Sequence, residues 1–488
     1  MAKVRSVKFN ALMNMIVTAS AFIFPLITVP YVSRVLSTYG TGEVAFAQSL
    51  VSYFCTVALF GVTYYGVTAC AGVRDDPDKL AITVKELLII LGVLSTACTI
   101  VYYGCIFFIP RLREDGMLFA IFGVAIWLSA FGVEWFYQAL EQYGYITARS
   151  VAFKFLGLIL MLVFVRTQKD YVVYGAITVI SGYGSNVFNM LRLRKLVNLR
   201  TKGKLNIRQH LRPMLWYGVA SVSSGLYTKV DMIALGFLGT GNMLGLYQLA
   251  TKVETLFVTA INSVGGVLLP RMAYYRAKNR DDLVGNLVGK NFNFVGIAAG
   301  AVIGASWVCS EEVVLLLGGA DFAEAALPLR VVVPASFFSA MNIVLAYYLM
   351  TYGREKDWAI TNLITSVASI VYQVVLIPWL GAVGAGVGLT LTEATAFVLR
   401  YVVLREVMGR MRSYVDMHKA VIAMVAGVAL SLAIAGALAD ASIVLRLLIK
   451  LSAFCVVFLV LLTVLHESFF CTILKSLVDK VRTGRRVA

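Results

Sequence analysis

Apolar runs of about 20 residues recur along this chain from one end to the other, separated by short polar connections. Each run is long enough to cross a hydrocarbon core roughly 30 Å thick. No water reaches that core, so every backbone amide must be satisfied within its own segment, and the runs must be helices. The 488 residues are 60% hydrophobic and 14% charged, with a mean hydropathy of +0.82. A soluble surface needs far more charge than that. The expected fold is therefore all-α, a polytopic membrane protein with about 14 transmembrane helices. The crossings are expected near 12–33, 43–72, 82–109, 116–140, 145–166, 170–191 and 214–239. They continue near 243–270, 283–309, 327–350, 357–380, 383–408, 417–439 and 443–466. The first run, Leu12 to Val32, is too long for the apolar core of a signal peptide and no small-residue cleavage site follows it, so it reads as a crossing.

The net charge of +17 argues for membrane topology and against nucleic acid, because the basic residues sit in short connections. With a cytoplasmic N-terminus, about 30 of the 43 Lys and Arg fall on the cytoplasmic side and about seven outside. The cytoplasmic set includes Lys3, Arg5, Lys8, Arg74, Lys79, Arg271, Arg276, Lys278, Arg280, Arg354 and Lys356. It closes with Arg405, Arg410, Arg412, Lys475, Lys480, Arg482, Arg485 and Arg486, which places both ends in the cytoplasm. The connection after the ninth crossing is acidic instead (Glu311, Glu312, Asp321, Glu324), as an external loop can be.

Residues 192–213 hold eight Lys or Arg and no acid, and read as a cytoplasmic linker, partly an amphipathic helix lying on anionic lipid. The expected organisation is an N-terminal six-helix lobe (1–191), that linker, a C-terminal six-helix lobe (214–408), and two further helices with a basic tail (409–488). The lobes echo one another: VLSTYGTGEVAFAQ from Val35 resembles FLGTGNMLGLYQLA from Phe237, and Arg74-Asp75-Asp76 recurs as Arg280-Asp281-Asp282. Chance likeness of apolar runs is the competing explanation. Two bundles of six would insert in parallel, facing across a central cleft, an arrangement suited to alternating access.

Enzymatic signatures are missing. There is no GxxxxGK[ST] phosphate loop, no HExxH and no nucleophile elbow, and no cofactor is implied. The seven cysteines lack CxxC spacing and read as small buried hydrophobes. His210, His418 and His466 fall in linkers or at span ends, where an exposed or interfacial ring is expected.

What remains informative is charge inside the membrane, which is expensive and normally faces protein or water. Lys154 is mid-span in the fifth crossing, Lys229 and Asp231 lie in the seventh, and Lys252 and Glu254 in the eighth. Glu134 is in the fourth, Glu393 in the twelfth, Arg330 begins the tenth, and Arg34 and Glu43 flank the first external turn. Lys229 and Asp231 are two residues apart and point about 200° from each other, so they cannot pair on one helix face. The acids Glu134, Asp231, Glu254 and Glu393 read either as ion pairs between helices or as coupling groups. Lys154 has no evident acidic partner at its depth, which fits a wet cavity for an anionic substrate, with snorkelling as the rival. Pro25 and Pro30 mark either a hinge or a static kink. The stretch Ser181 to Asn189 is polar and glycine-rich, lining a cavity or packing closely through small residues.

The N-terminal stretch FPLITVPYVSRVLSTYGTGEVAFAQSLVSYF resembles the opening of the polysaccharide (O-antigen, Wzx-type) flippases of the multidrug/oligosaccharidyl-lipid/polysaccharide exporter superfamily. YTKVDMIALGFLGTGNMLGLYQLATKVE is similar to that family's seventh and eighth spans, with Asp231, Gly245, Tyr247 and Lys252 at its typical positions. LLPRMAYY (Pro270, Arg271) and PWLGAVGAGVGLTLTEATAFVLR (with Glu393) resemble later segments. The resemblance implies a two-lobed flippase with a cationic central cavity that passes an undecaprenyl-diphosphate-linked oligosaccharide across a bacterial inner membrane, and the intramembrane charges make Arg34, Lys154, Lys229 and Lys252 the expected lining of that cavity. It implies membrane lipids as partners and a glycan polymerase and glycosyltransferases as neighbours. No residue matches an ion-coupling site. A cation-coupled drug or metabolite antiporter would favour acids over lysines in the cavity, and a polysaccharide-processing membrane enzyme would need a large external loop, whereas every external loop here is short.

Overall fold

The computed structural model describes residues 7–201, 203–262, 268–405, 416–435, 441–472 and 474–475. Lys3, Arg5, Arg410, Arg412, Lys480, Arg482, Arg485 and Arg486 lie outside the described residues. The first helices are α1 Val7–Leu59, α2 Val62–Ala71, α3 Pro77–Phe108, α4 Pro110–Glu114, α5 Gly116–Ala130, α6 Glu134–Ala139, α7 Tyr143–Phe164, α8 Tyr171–Val179 and α9 Asn186–Leu196. There follow α10 Arg208–Leu238, α11 Gly241–Asn262, α12 Leu268–Ala277, α13 Asp281–Gly318, α14 Ala326–Val332, α15 Ala335–Thr351, α16 Glu355–Val403, α17 Met417–Ala435 and α18 Ile443–Val464. Nine stretches among the described residues are long and apolar enough to cross a membrane. Two of these, Ile23–Ala71 with 49 residues and Lys356–Val403 with 48, are about twice one crossing and each contains a backbone break. The expected sixth crossing, α8 through α9, and the expected seventh and eighth, α10 and α11, are not among the nine.

The breaks fall where sequence patterning leaves no obvious mark. Helix α1 carries Pro25 and Pro30 in helical backbone and is interrupted at Ser37 (φ 59°, ψ −174°), so the expected external turn shrinks to one residue. In the echoed segment the corresponding residue is Gly239 (φ −112°, ψ −163°), where α10 ends. Gly381 (φ 55°, ψ −127°) divides α16 in the same manner. The glycine-rich stretch of the expected sixth crossing forms a π-helical turn, Ile180–Gly184, between α8 and α9. Asp76 caps α3 by accepting the amides of Asp78 and Lys79, and the Lys79 amide holds its carboxyl below the usual carboxylate range.

Two compact units emerge, Met1–Gly245 and Leu246–Ala488. In the first, α1 is the spine, packed by α3, α5, α7 and α10. In the second, α13 takes that part, packed by α15, α17 and α18. Lipid is as apolar as leucine, so helix association here relies on close packing, and small residues mark the contacts. A Cβ on Gly42 would sit 2.2 Å from the Gly241 carbonyl oxygen, and one on Gly245 would sit 2.0 Å from that of Thr38. The two echoed segments therefore touch backbone to backbone within the first unit.

Several expectations are corrected. Glu311 and Glu312 belong to α13 rather than to an external loop, and Glu312 is buried. The linker is helical at its two ends, where Arg192, Arg194 and Lys195 close α9 and Arg208 opens α10, as expected of a partly helical linker. His210 is buried instead of interfacial. Among the cysteines, all free, Cys55, Cys70, Cys98 and Cys309 are buried, but Cys455 is exposed.

Candidate functional site

Charges within the helices divide into those clamped by a counter-charge and those that are not. Glu43 is fully buried and pairs with Arg111 at 2.5 Å, and the same guanidinium donates to the Gly236 carbonyl at 3.0 Å. Beside it, the Tyr39 and Tyr171 hydroxyls donate to the two Asp115 oxygens at 2.9 and 2.5 Å. Glu134 pairs with Arg149, which also donates to Asn186 at 3.1 Å, tying α6, α7 and α9 together. Glu86 accepts from the Asn206 amide and from Gln209, and lies 2.7 Å from His210 Nε2. The Tyr65 hydroxyl holds the other ring nitrogen of His210 at 2.7 Å, so this cluster latches the linker onto α3.

In the second unit Lys450 on α18 donates to Glu312 on α13 at 2.7 Å, both buried. The Glu393 carboxylate accepts from Asn342 Nδ2 at 2.8 Å. Arg400 donates to the Asn342 carbonyl at 2.9 Å and to Asn362 at 2.7 Å, so Glu393, Asn342, Arg400 and Asn362 form one polar chain across α15 and both arms of α16.

Lys154 differs. It lies eleven residues into α7, roughly 16 Å along the helix axis and so about halfway through the core. Its ammonium donates to the Ser20 hydroxyl of α1 at 2.7 Å, and no carboxylate among the described residues lies within ion-pair distance. It is half-buried, with N–H groups left over after one bond to serine. Lys229 on α10 is half-buried and likewise pairs with no carboxylate among the described residues. Arg34 is exposed, one turn before the Ser37 break, and Asp231 is half-buried on α10. These four stand on the first unit, while Lys252 and Glu254, both half-buried on α11, and Glu393 stand on the second. Pro25 and Pro30 are half-buried on the arm of α1 that carries Ser20.

Arg149, Arg400, Lys450 and Glu86 are absent from the sequence-derived set, although each lies inside an expected crossing. Their position was the available signal. Their partners, 15 to 138 residues away, were not. An ammonium in a low-dielectric setting that is held by a hydroxyl and not neutralised by a carboxylate is suited to meet an anionic oxygen such as that of a diphosphate. Among the described residues no three His, Cys, Asp or Glu side chains form a group that could hold a metal ion.

Residues 7–276 match the model of a family described as polysaccharide biosynthesis protein. A relative from Escherichia coli (strain K12), named "Putative O-antigen transporter", is 21% identical over 410 residues, covering 81% of this chain and 97% of its own. Among solved structures, the lipid II flippase MurJ in an inward closed conformation superposes with a TM-score of 0.69 at 12% identity, over 93% of this chain and 99% of that one. An inward-facing multidrug resistance MATE family transporter of the MOP superfamily superposes with a TM-score of 0.61 at 14% identity, over 80% and 99%. The fold is thus that of the MOP superfamily transporters.

Proposed function

The chain belongs to the polysaccharide biosynthesis protein family, and from that premise we propose that it is a flippase moving a lipid-linked oligosaccharide across the bacterial inner membrane by alternating access. Support comes from the O-antigen transporter relative, matched over nearly its whole length, and from the fold shared with a lipid II flippase. The observation that carries the reading is Lys154: a cation about halfway through the hydrocarbon core, held by the Ser20 hydroxyl and by no carboxylate among the described residues. An antiporter for cationic drugs would gain nothing from a lysine there, whereas a diphosphate-linked sugar would.

Arg34, Lys154 and Lys229 are the side chains of the first unit proposed to meet the diphosphate and the sugar acids, and Lys252 is proposed as a cargo-binding cation of the second unit. The lipid tail stays in the bilayer. Glu134, tied to Arg149, serves as structure; Asp231, Glu254 and Glu393 are proposed as ion-pair or coupling carboxylates, and Pro25 and Pro30 are proposed to give α1 its bend. The natural neighbours are glycosyltransferases that build the cargo and a polymerase that consumes it.

Lys154→Ala, expressed in cells that depend on this protein for surface polysaccharide, should cut surface glycan at least about tenfold, as loss of one charge-assisted bond implies, with membrane abundance unchanged. Lys154→Arg should keep most of the glycan. Full glycan in the alanine variant would remove Lys154 from the transport path.

A further inference from the structure

Helices α7 and α9 border an open pocket of about 480 Å³ in the first unit, and Arg149, Arg192 and Lys195 line it together with Phe153, Phe188 and Leu191. It opens on a different side of α7 from Lys154. At 100° per residue, Lys154 lies about 150° around the helix from the arc of Arg149, Ala152 and Phe153.

Three observations specify what such a cavity would take. First, the charge is one-sided: three cations line it, and the carboxylate in contact with them, Glu134, is already spent on Arg149. Second, the donors are set in advance. Arg192 stacks 3.8 Å over the Tyr145 ring and bonds to Gln142 Oε1 at 2.9 Å, so little freedom is lost when a ligand arrives. Arg149 is only 8% exposed and is fixed by Glu134 and Asn186, with its Nε left unpartnered. Third, the walls are greasy and face outward: Phe153 and Phe188 meet edge to face at 5.8 Å, while Phe188 and Leu191 are more than half exposed. Free phosphate would use the cations but not these walls, and a neutral lipid would use the walls but not the cations.

We propose that this cavity binds one acidic phospholipid, its phosphate between Arg192 and Lys195 with Arg149 beneath, and an acyl chain along Phe188 and Leu191. The basic end of α9, where Arg194 and Lys195 close the helix, is where such a headgroup would lie if the linker is cytoplasmic. The proposal does not depend on flipping: lipid retention is read without transport, so either can fail alone.

The test is native mass spectrometry of the full-length detergent-solubilised protein, titrated with phosphatidylglycerol or phosphatidylcholine of identical acyl chains. The intact protein should retain phosphatidylglycerol preferentially. Lys195→Gln, at an exposed position where folding is not at risk, should weaken that retention about fivefold, and Arg192→Gln with Lys195→Gln about 25-fold, from the usual worth of a basic residue near an anionic headgroup. Phosphatidylcholine retention should not change, and Lys169→Gln on a remote loop should behave as the parent does. Equal retention of both lipids by the parent, or undiminished phosphatidylglycerol retention in the double variant, would overturn the assignment. So would complete displacement of the lipid by inorganic phosphate, which would make the site one for free anions.

Discussion

Lys450 and Glu312 illustrate what a charge inside the membrane costs when it is kept for structure. Both side chains are at least nine-tenths buried, and Glu312 Oε2 is left without a hydrogen bond. Removing one partner strands the other charge in a low dielectric, whereas removing both leaves an apolar contact. Lys450→Met should therefore destabilise the protein by about 3–5 kcal/mol, and adding Glu312→Leu should restore most of that loss. Thermal unfolding in detergent measures both; a double variant no better than the single one would mean that the pair contributes more than charge neutralisation. Lys154 was legible in the sequence because its depth could be counted along the crossing. The pairing of Lys450 with Glu312 was not, because the partners are 138 residues apart and come from helices whose adjacency only packing defines. His210 was misjudged for the same reason, since its burial follows from Glu86 and Tyr65 on other helices.

At the scale of elements, hydropathy locates the helices, and their breaks follow from backbone chemistry that hydropathy does not see. Ser37 sits at φ 59°, where a Cβ is strained, while Gly381 occupies the comparable break in α16 as a glycine at φ 55°. Ser37→Gly should thus stabilise the protein by roughly 1 kcal/mol, while β-branched Ser37→Val should lower its melting temperature. An unchanged melting temperature in both would show that the break is not strained. Close contacts make the opposite case. Gly245→Ala puts a methyl group 2.0 Å from the Thr38 carbonyl, a backbone atom with little room to yield, so surface glycan should fall sharply. Gly92→Ala, with nothing within 4 Å on helix α3, should be tolerated and slightly stabilising. The latch on the linker yields a third comparison. Glu86→Ala leaves the Asn206 amide, Gln209 and His210 without their acceptor, and trypsin should cut faster at Arg200 and Lys204, while a trypsin rate equal to the parent's would mean that the linker is held by other contacts.

For the whole molecule, the basic segment 192–213 is a boundary in charge but not in packing. Its two ends continue α9 and open α10, and α10 then packs along α1, so the compact units divide in the chain after Gly245 and not at the linker. Charge placement reports how the chain enters the membrane, and packing reports what the helices do afterwards, which is why one could be read from the sequence and the other could not. Orientation follows from charge alone and can be tested alone. The expected sixth crossing, made of α8, the π-helical turn and α9, lies between exposed Lys169 and exposed Lys204. In a background lacking the native cysteines, Lys169→Cys should react with a membrane-impermeant maleimide added to intact cells with a stripped outer layer, and Lys204→Cys only after the inner membrane is permeabilised. The reverse pattern would invert the molecule, placing the basic linker and the acidic-phospholipid pocket beside it on the outer leaflet. Labelling of both from outside would mean that the segment between them does not cross at all, and the parallel insertion of the two echoed halves, which needs an even number of crossings before the linker, would be lost with it.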